Sequence, residues 1–183
     1  AQHFSAKSVV IGFDARESSP AFATAASRGA IDAGADVINI GLAGTEEMYW
    51  AVTEFGAYAG IEVTASHNPI NYNGMKIVKS ASQPLDDAGD FQVIKALAGS
   101  QEWASVENVG NEFGRAGVAR KAYVDRVLSF VDVKALRPLK IVVNSGNGAA
   151  GPTFETIAEQ LLDLGAPLEF IRVHHVPDAT FPN

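Results

Sequence analysis

The residues best suited to chemistry stand together in Thr64-Ala65-Ser66-His67-Asn68-Pro69. Ser66 offers a hydroxyl that could act as a nucleophile, and His67 beside it offers a proton acceptor. Pro69 restricts Asn68 to extended conformations, which limits the shapes the loop can take. Asn71-Tyr72-Asn73-Gly74-Met75-Lys76 follows, so Lys76 supplies a second proton carrier or a cation for a phosphate. Upstream, Arg16 carries a fork of donors that could orient one of these groups or a phosphate. The same residues also allow a blander reading, with Ser66 and Asn68 as turn formers and His67 and Arg16 as solvated side chains.

The elements that must position these residues can be read from hydropathy. The β-branched run 8–14 has the pattern of a parallel strand buried on both faces. Ser18-Ser19-Pro20 then caps an alanine-rich helix that closes near Gly34. A strand is expected over 36–40, a helix from Thr45 to about Phe55 with Thr45 as its cap, and a third strand over 61–64. Strand, helix, strand, helix, strand in this order predicts an α/β fold with a doubly wound, mostly parallel sheet. Ser66 then falls just past the carboxyl end of a strand, where open α/β sheets bind ligands.

Asn73-Gly74 signals a tight turn, with 75–78 returning as a hairpin partner that makes the sheet mixed. A helix is expected over 86–98 with Gly99 past its end, then a connector over 100–117 and a last helix over 123–131. The pattern restarts with a strand over 139–144, the glycine-rich loop 145–151, a helix over 152–164 and a strand over 169–173. This divides the chain into a first domain over 1–135 and the incomplete start of a second, similar α/β domain over 136–183.

Net charge and composition narrow the function classes. A net charge of −7 with scattered Lys and Arg argues against nucleic acid or an anionic membrane as partner. The absence of cysteine removes disulfides and thiolate chemistry, and no apolar run is long enough to span a membrane, so a cytoplasmic setting is expected. No protein partner is predicted. Gly146, Gly148 and Gly151 match a dinucleotide-loop spacing but lack a trustworthy following acidic residue, so tight packing is the better reading. Adjacent His174 and His175 point apart on a strand end and are not expected to share a metal. Trp50 and Trp103 are read as packing residues, and 115–121 as a solvated, charged face.

TASHNPINYNGMK resembles the catalytic loop of the α-D-phosphohexomutase superfamily, T-x-S-H-N-P followed by N-G and Lys. Residues 12–18, GFDARES, are similar to its G-x-D-x-R-x-S segment, and SGNGAAG to the opening of its second domain. GTEE at 44–47, Tyr72, VNSGNGAAGP and the closing PDATFPN are most similar to bacterial phosphomannomutases. The resemblance implies Ser66 as a phosphoserine that exchanges its phosphoryl group with a hexose phosphate through a hexose 1,6-bisphosphate, which also acts as activator. It implies mannose 6-phosphate and mannose 1-phosphate as the interconverted sugars, feeding GDP-mannose. It further implies His67 and Lys76 as acid/base groups, Arg16 in support, and Mg²⁺ touching Ser66.

The family's metal loop, its sugar-reading loop and its phosphate clamp are absent from this sequence, so the chain is expected to be an amino-terminal fragment, inactive alone. A phosphoglucomutase or phosphoglucosamine mutase is the nearer alternative. A non-catalytic α/β phosphate-binding module is the alternative of another class.

Overall fold

A computed structural model describes residues 1–103 and 105–183. Its central feature is a five-stranded sheet built from β1 (Ser8–Phe13), β2 (Asp36–Leu42), β3 (Ala59–Val63), β4 (Met75–Lys79) and β5 (Glu112–Gly114). The strand order is β4-β3-β1-β2-β5, with β4 antiparallel to β3 and every other pair parallel. The mixed, mostly parallel sheet expected from the sequence is therefore present.

Val9 and Ile11 pack with Ala23 and Ala30 of α1 (Ser19–Asp32), on one face of the sheet. Val10 packs on the other face with Met48, Ala51 and Val52 of α2 (Thr45–Glu54). Consecutive β1 residues thus bury against opposite helices, which is why the strand is apolar without alternation. Gly60 lets α2 approach β3 closely, because a Cβ there would lie 2.4 Å from Val52 Cγ2 and 2.5 Å from Met48 Sδ. With α1 and α2 on opposite faces, the chain turns back at the β1–β3 boundary, and the loops after both strands meet above it.

Several boundaries differ from the expectations. The cap of α2 is Gly44, whose N–H lies 3.4 Å from a Glu47 carboxylate oxygen, while Thr45 is already helical. Ser18 does sit at the α1 cap, but its hydroxyl accepts from Asn73 and makes no cap bond. The strands β3 and β4 are joined by the broad loop 64–74, so Asn73-Gly74 ends that loop and is not a two-residue hairpin turn. The next helix, α3, runs Asp90–Ser100, starting later than 86 because Asp86 forms a turn instead, its side chain accepting from Gly89 N–H at 2.7 Å. Gly99 lies inside α3, and Gln101 takes the left-handed position that ends it.

The connector over 100–117 contains β5, an edge strand of exposed residues that has no apolar period to betray it. It is held by β2, with Asn111 N–H donating to Asp36 at 2.8 Å and Asn39 donating to Glu112 at 2.6 Å. The helix α4 (Ala116–Leu128) begins well before 123, and 115–121 is not wholly solvated. Ala119 is buried, and Arg120 donates to the Leu42 carbonyl. Trp50 packs edge-on against Phe55 and Tyr123, as read, whereas Trp103 is 68% exposed, because it lies beyond the end of α3.

The remaining strands, β6 (Leu139–Asn144) and β7 (Leu168–Val173), form a separate parallel pair flanking α5 (Ala150–Asp163). Leu161 and Ala166 pack with Val124 and Leu128 of α4, so this unit leans on the first through an apolar seam. Among the described residues one buried polar tie joins them: the Thr153 hydroxyl donates to Glu47. Gly151 lets α5 start against the backbone of residue 175, where a Cβ would sit 1.8 Å from the carbonyl oxygen, so tight packing accounts for that glycine. His175 is taken up by Ser145 at 3.1 Å and Glu155 at 2.9 Å. Among the described residues no helix is long and apolar enough to cross a membrane.

Candidate active site

The loop 64–74 is organised around one buried side chain. Arg16, 5% exposed, follows β1 and points under the loop. Its Nη1 donates to the carbonyls of Pro69 (2.8 Å) and Tyr72 (3.1 Å), and its Nη2 to those of Ser66 (2.8 Å) and Asn68 (2.7 Å). Asp14 completes the support, with a carboxylate oxygen 3.4 Å from Arg16 Nε and another accepting from Arg16 N–H at 3.0 Å. A planar cation with five donors can gather this many carbonyls from one short loop, which an ammonium cannot do with the same geometry.

The rest of the loop is tied at its ends. Thr64 N–H donates to the Gly74 carbonyl at 3.0 Å, closing the base. Asn73 donates to the hydroxyls of Ser18 (2.8 Å) and Ser19 (2.9 Å), which anchors the return limb to the start of α1. Asn68 bonds back to the Ala65 carbonyl through both its N–H (3.0 Å) and its side-chain amide (2.8 Å).

This frame holds Ser66 in a left-handed conformation, φ +53°, which is unfavourable for a residue with a Cβ. Ser66 N–H donates to Thr64 Oγ1 at 2.8 Å, which helps offset that strain. The Ser66 side chain is exposed at the crest, its Oγ 3.2 Å from His67 Nδ1. Lys76, on β4, stands at the same end of the sheet, since Met75 pairs with Val63 immediately before the loop. It is exposed and has no hydrogen-bond or ion-pair partner among the described residues. The structure therefore joins Ser66 and His67 directly and puts Arg16 beneath them. Arg16 reaches the loop backbone rather than His67 or Lys76.

One charged group at this end was not singled out from sequence. Glu62, the penultimate residue of β3, is fully buried, and neither carboxyl oxygen has a hydrogen-bond partner among the described residues. Gly12 on the neighbouring strand makes room for it, because a Cβ there would lie 2.4 Å from Glu62 Oε2. Burial pushes the Glu62 carboxyl up to about 9, helped by Asp14, Glu47 and Glu46 and opposed by Lys76. The signal that could have found it is an acid inside an apolar run, at a strand position that the α/β pattern buries. Glu47 is also raised by burial, against the pull of Thr153, Arg120 and the Gly44 N–H.

The raised Glu62 carboxyl has a measurable consequence. The folded chain holds a proton that the unfolded chain releases above the ordinary carboxyl value of 4.5, so stability falls as pH rises from there towards about 9. At pH 7 that cost is about 3 kcal/mol, set by the distance from the ordinary value to pH 7. Glu62→Gln, which cannot ionise, is expected to be more stable than the natural chain by about that amount at pH 7, with the difference vanishing near pH 4. Urea unfolding at both pH values measures it, and equal stability at pH 7 would show that Glu62 ionises without penalty.

A magnesium ion would require hard oxygen ligands in addition to Ser66. Among the described residues no group of three or more His, Cys, Asp and Glu side chains comes together to hold a metal. The residues present thus do not make a magnesium site by themselves.

A serine loop buttressed by an arginine thus stands above the turning point of a doubly wound sheet, where open α/β sheets bind their ligands. Residues 1–103 match the family model described as phosphoglucomutase/phosphomannomutase, alpha/beta/alpha domain I, and the chain belongs to that family. Its relatives include the phosphomannomutase of Salmonella montevideo, 44% identical over 182 residues, which cover 100% of this chain and 40% of that protein. A protein named phosphohexose mutases from Xanthomonas campestris is 42% identical over 175 residues, covering 96% and 38% of the two chains. A solved phosphoglucomutase/phosphomannomutase family protein from Burkholderia thailandensis superposes with a TM-score of 0.79 at 30% identity, over 97% of this chain and 38% of its own. The chain thus spans about 40% of the length of the curated relatives it matches.

Proposed function

We propose that this chain supplies the phosphoryl-carrying part of a phosphomannomutase that interconverts mannose 6-phosphate and mannose 1-phosphate in the full-length protein. The observation that carries the reading is the strained Ser66, held at the crest of a loop locked by Arg16 with its hydroxyl 3.2 Å from His67 Nδ1. Enzymes place strain of this kind where a group must be presented in one orientation. The choice of mannose rests on relatives that bear the name phosphomannomutase, at 44% identity. The Xanthomonas campestris name, phosphohexose mutases, favours a second reading in which hexose phosphates other than those of mannose are also accepted.

In the proposed cycle Ser66 Oγ carries the phosphoryl group. A free hydroxyl of the bound hexose monophosphate attacks phosphorus, the bond to Oγ breaks, and a hexose 1,6-bisphosphate forms. The proton lost by the sugar hydroxyl passes to a base, and His67 Nδ1 is within reach to return one to the departing Oγ. Lys76 is the second candidate for a proton carrier, and its ammonium can also offset phosphate charge. Reversal with the other phosphate restores phosphorylated Ser66 and releases the isomer. Arg16 touches the loop and not the reacting atoms, so its part is positioning.

In the full-length protein Ser66 is the one residue of this chain proposed to hold a magnesium ion, which would offset charge on the phosphoryl oxygens there. A cytosolic pool of free hexose phosphates is the setting that the reading requires, with mannose 1-phosphate feeding GDP-mannose.

Peptide mass mapping of the full-length protein, before and after incubation with a hexose 1,6-bisphosphate, tests the reading. A single phosphoryl group on Ser66, removed by excess hexose monophosphate, is expected. An unmodified Ser66 under both conditions would favour a non-catalytic phosphate-binding module, and turnover of glucosamine phosphate in preference to mannose phosphate would overturn the sugar assignment.

A further inference from the structure

Glu62 takes no part in the cycle described above, yet its setting is specific. The β3–β4 register puts Lys76 directly opposite Glu62, and the β1–β3 register puts Gly12 on its other side. Directly paired antiparallel residues project from the same face with their Cβ atoms about 5 Å apart. Glu62 is thus flanked by a position with no side chain, whose space its carboxyl fills, and by one bearing an ammonium. The carboxyl is fully buried with both oxygens unpartnered, while Lys76 is exposed and equally without a partner among the described residues.

The charged groups that act on Glu62 come from every neighbouring element. They are Asp14 just past β1, Glu46 and Glu47 on α2, and Lys76 on β4. Three are acids, and the cation is Lys76. Arg120, from α4, is turned to the Leu42 carbonyl and to the far oxygen of Glu47, 4.0 Å away. An ionised Glu62 would have one mobile countercharge within reach, and its stem is long enough to swing between the interior and the loop.

We propose that Glu62 is a positioning residue for Lys76: as the neutral acid it leaves the Lys76 ammonium free to serve the Ser66 loop, and on losing its proton it draws that ammonium inward across the β3–β4 pair. The inference rests on the reading of Lys76 as part of the phosphoryl site. It explains why a carboxyl sits in a place that burial pushes up to about 9, where an aliphatic side chain would pack without that cost. The site then loses its cation at alkaline pH through Glu62.

The test is a ¹³C NMR titration of this chain with labelled Glu and Lys, reading the Glu62 carboxyl shift together with the mobility of the Lys76 side chain. In the natural chain Lys76 is expected to lose mobility in step with ionisation of Glu62, near the value of about 9. Glu62→Gln should abolish that step, leaving Lys76 mobile across the same pH range. Lys76→Met reads the same coupling from the exposed side, where folding is not at stake, and should move the Glu62 midpoint upward by removing its countercharge. A Glu62 midpoint unchanged by Lys76→Met, or a Lys76 transition that persists in Glu62→Gln, would overturn the proposal. Absence of phosphate on Ser66 in the full-length protein would sink the mutase reading and leave this coupling intact, so the two failures are distinguishable.

Discussion

Arg16→Met in the full-length protein is expected to lower kcat/KM by about a hundredfold or more while leaving the sheet folded, because an ångström of misplacement at a reacting group costs that much. The substitution removes the donors of four loop carbonyls, those of Ser66, Asn68, Pro69 and Tyr72, and strips Asp14 of its countercharge. Breaking one partner of a buried ion pair costs about 3–5 kcal/mol, although loop carbonyls that can turn to water recover part of it. The damage should be local. Hydrogen exchange is expected to rise across 64–74 with little change in β1 and β3. Arg16→Lys should not rescue turnover, since one ammonium cannot serve the same fork. Natural turnover from either variant, with the loop still protected, would show that Arg16 is not what positions Ser66.

Ser66→Ala is expected to show the opposite balance. If Ser66 Oγ carries the phosphoryl group, its removal should cost at least about four orders of magnitude in turnover, as loss of a covalent carrier does elsewhere. Stability should change by no more than about 0.5 kcal/mol, because the side chain is exposed and alanine meets the same left-handed penalty that serine does. The hydroxyl bonds only His67 among the described residues, so no buried group is orphaned. Turnover assayed with mannose 1-phosphate and urea unfolding on the same preparation separate the two effects. Turnover kept within tenfold of natural would rule out Ser66 as the carrier and leave the loop a binding element. The contrast with Arg16 is diagnostic: one variant breaks the chemistry in an intact loop, the other breaks the loop around intact chemistry.

Much of this was legible in the chain itself. The run 8–14 identifies a strand buried on both faces, because only a parallel sheet covered by helices hides consecutive β-branched residues. The order of strands and helices implies the doubly wound sheet, and the position of Ser66 after β3 implies its place above the chain's turning point. The spacing of GFDARES also acquires physical content in the fold. Gly12 admits Glu62, Asp14 and Arg16 hold the loop from below, and Ser18 takes the amide of Asn73. Local rules failed where a partner far along the chain decided the outcome. The strand β5 exists because β2 offers it an open edge.

By itself, the sequence determined the class of fold, the serine loop and its family, since these depend on hydropathy period and on residue types at close spacing. Tertiary structure alone decided that Arg16 serves the loop backbone, that Thr153 reaches Glu47, and that Glu62 is a buried acid facing Lys76. The reason is the range of the interactions: a side chain's hydrogen-bond partners and its distance from water are set by segments fifty or a hundred residues away, which no local pattern encodes.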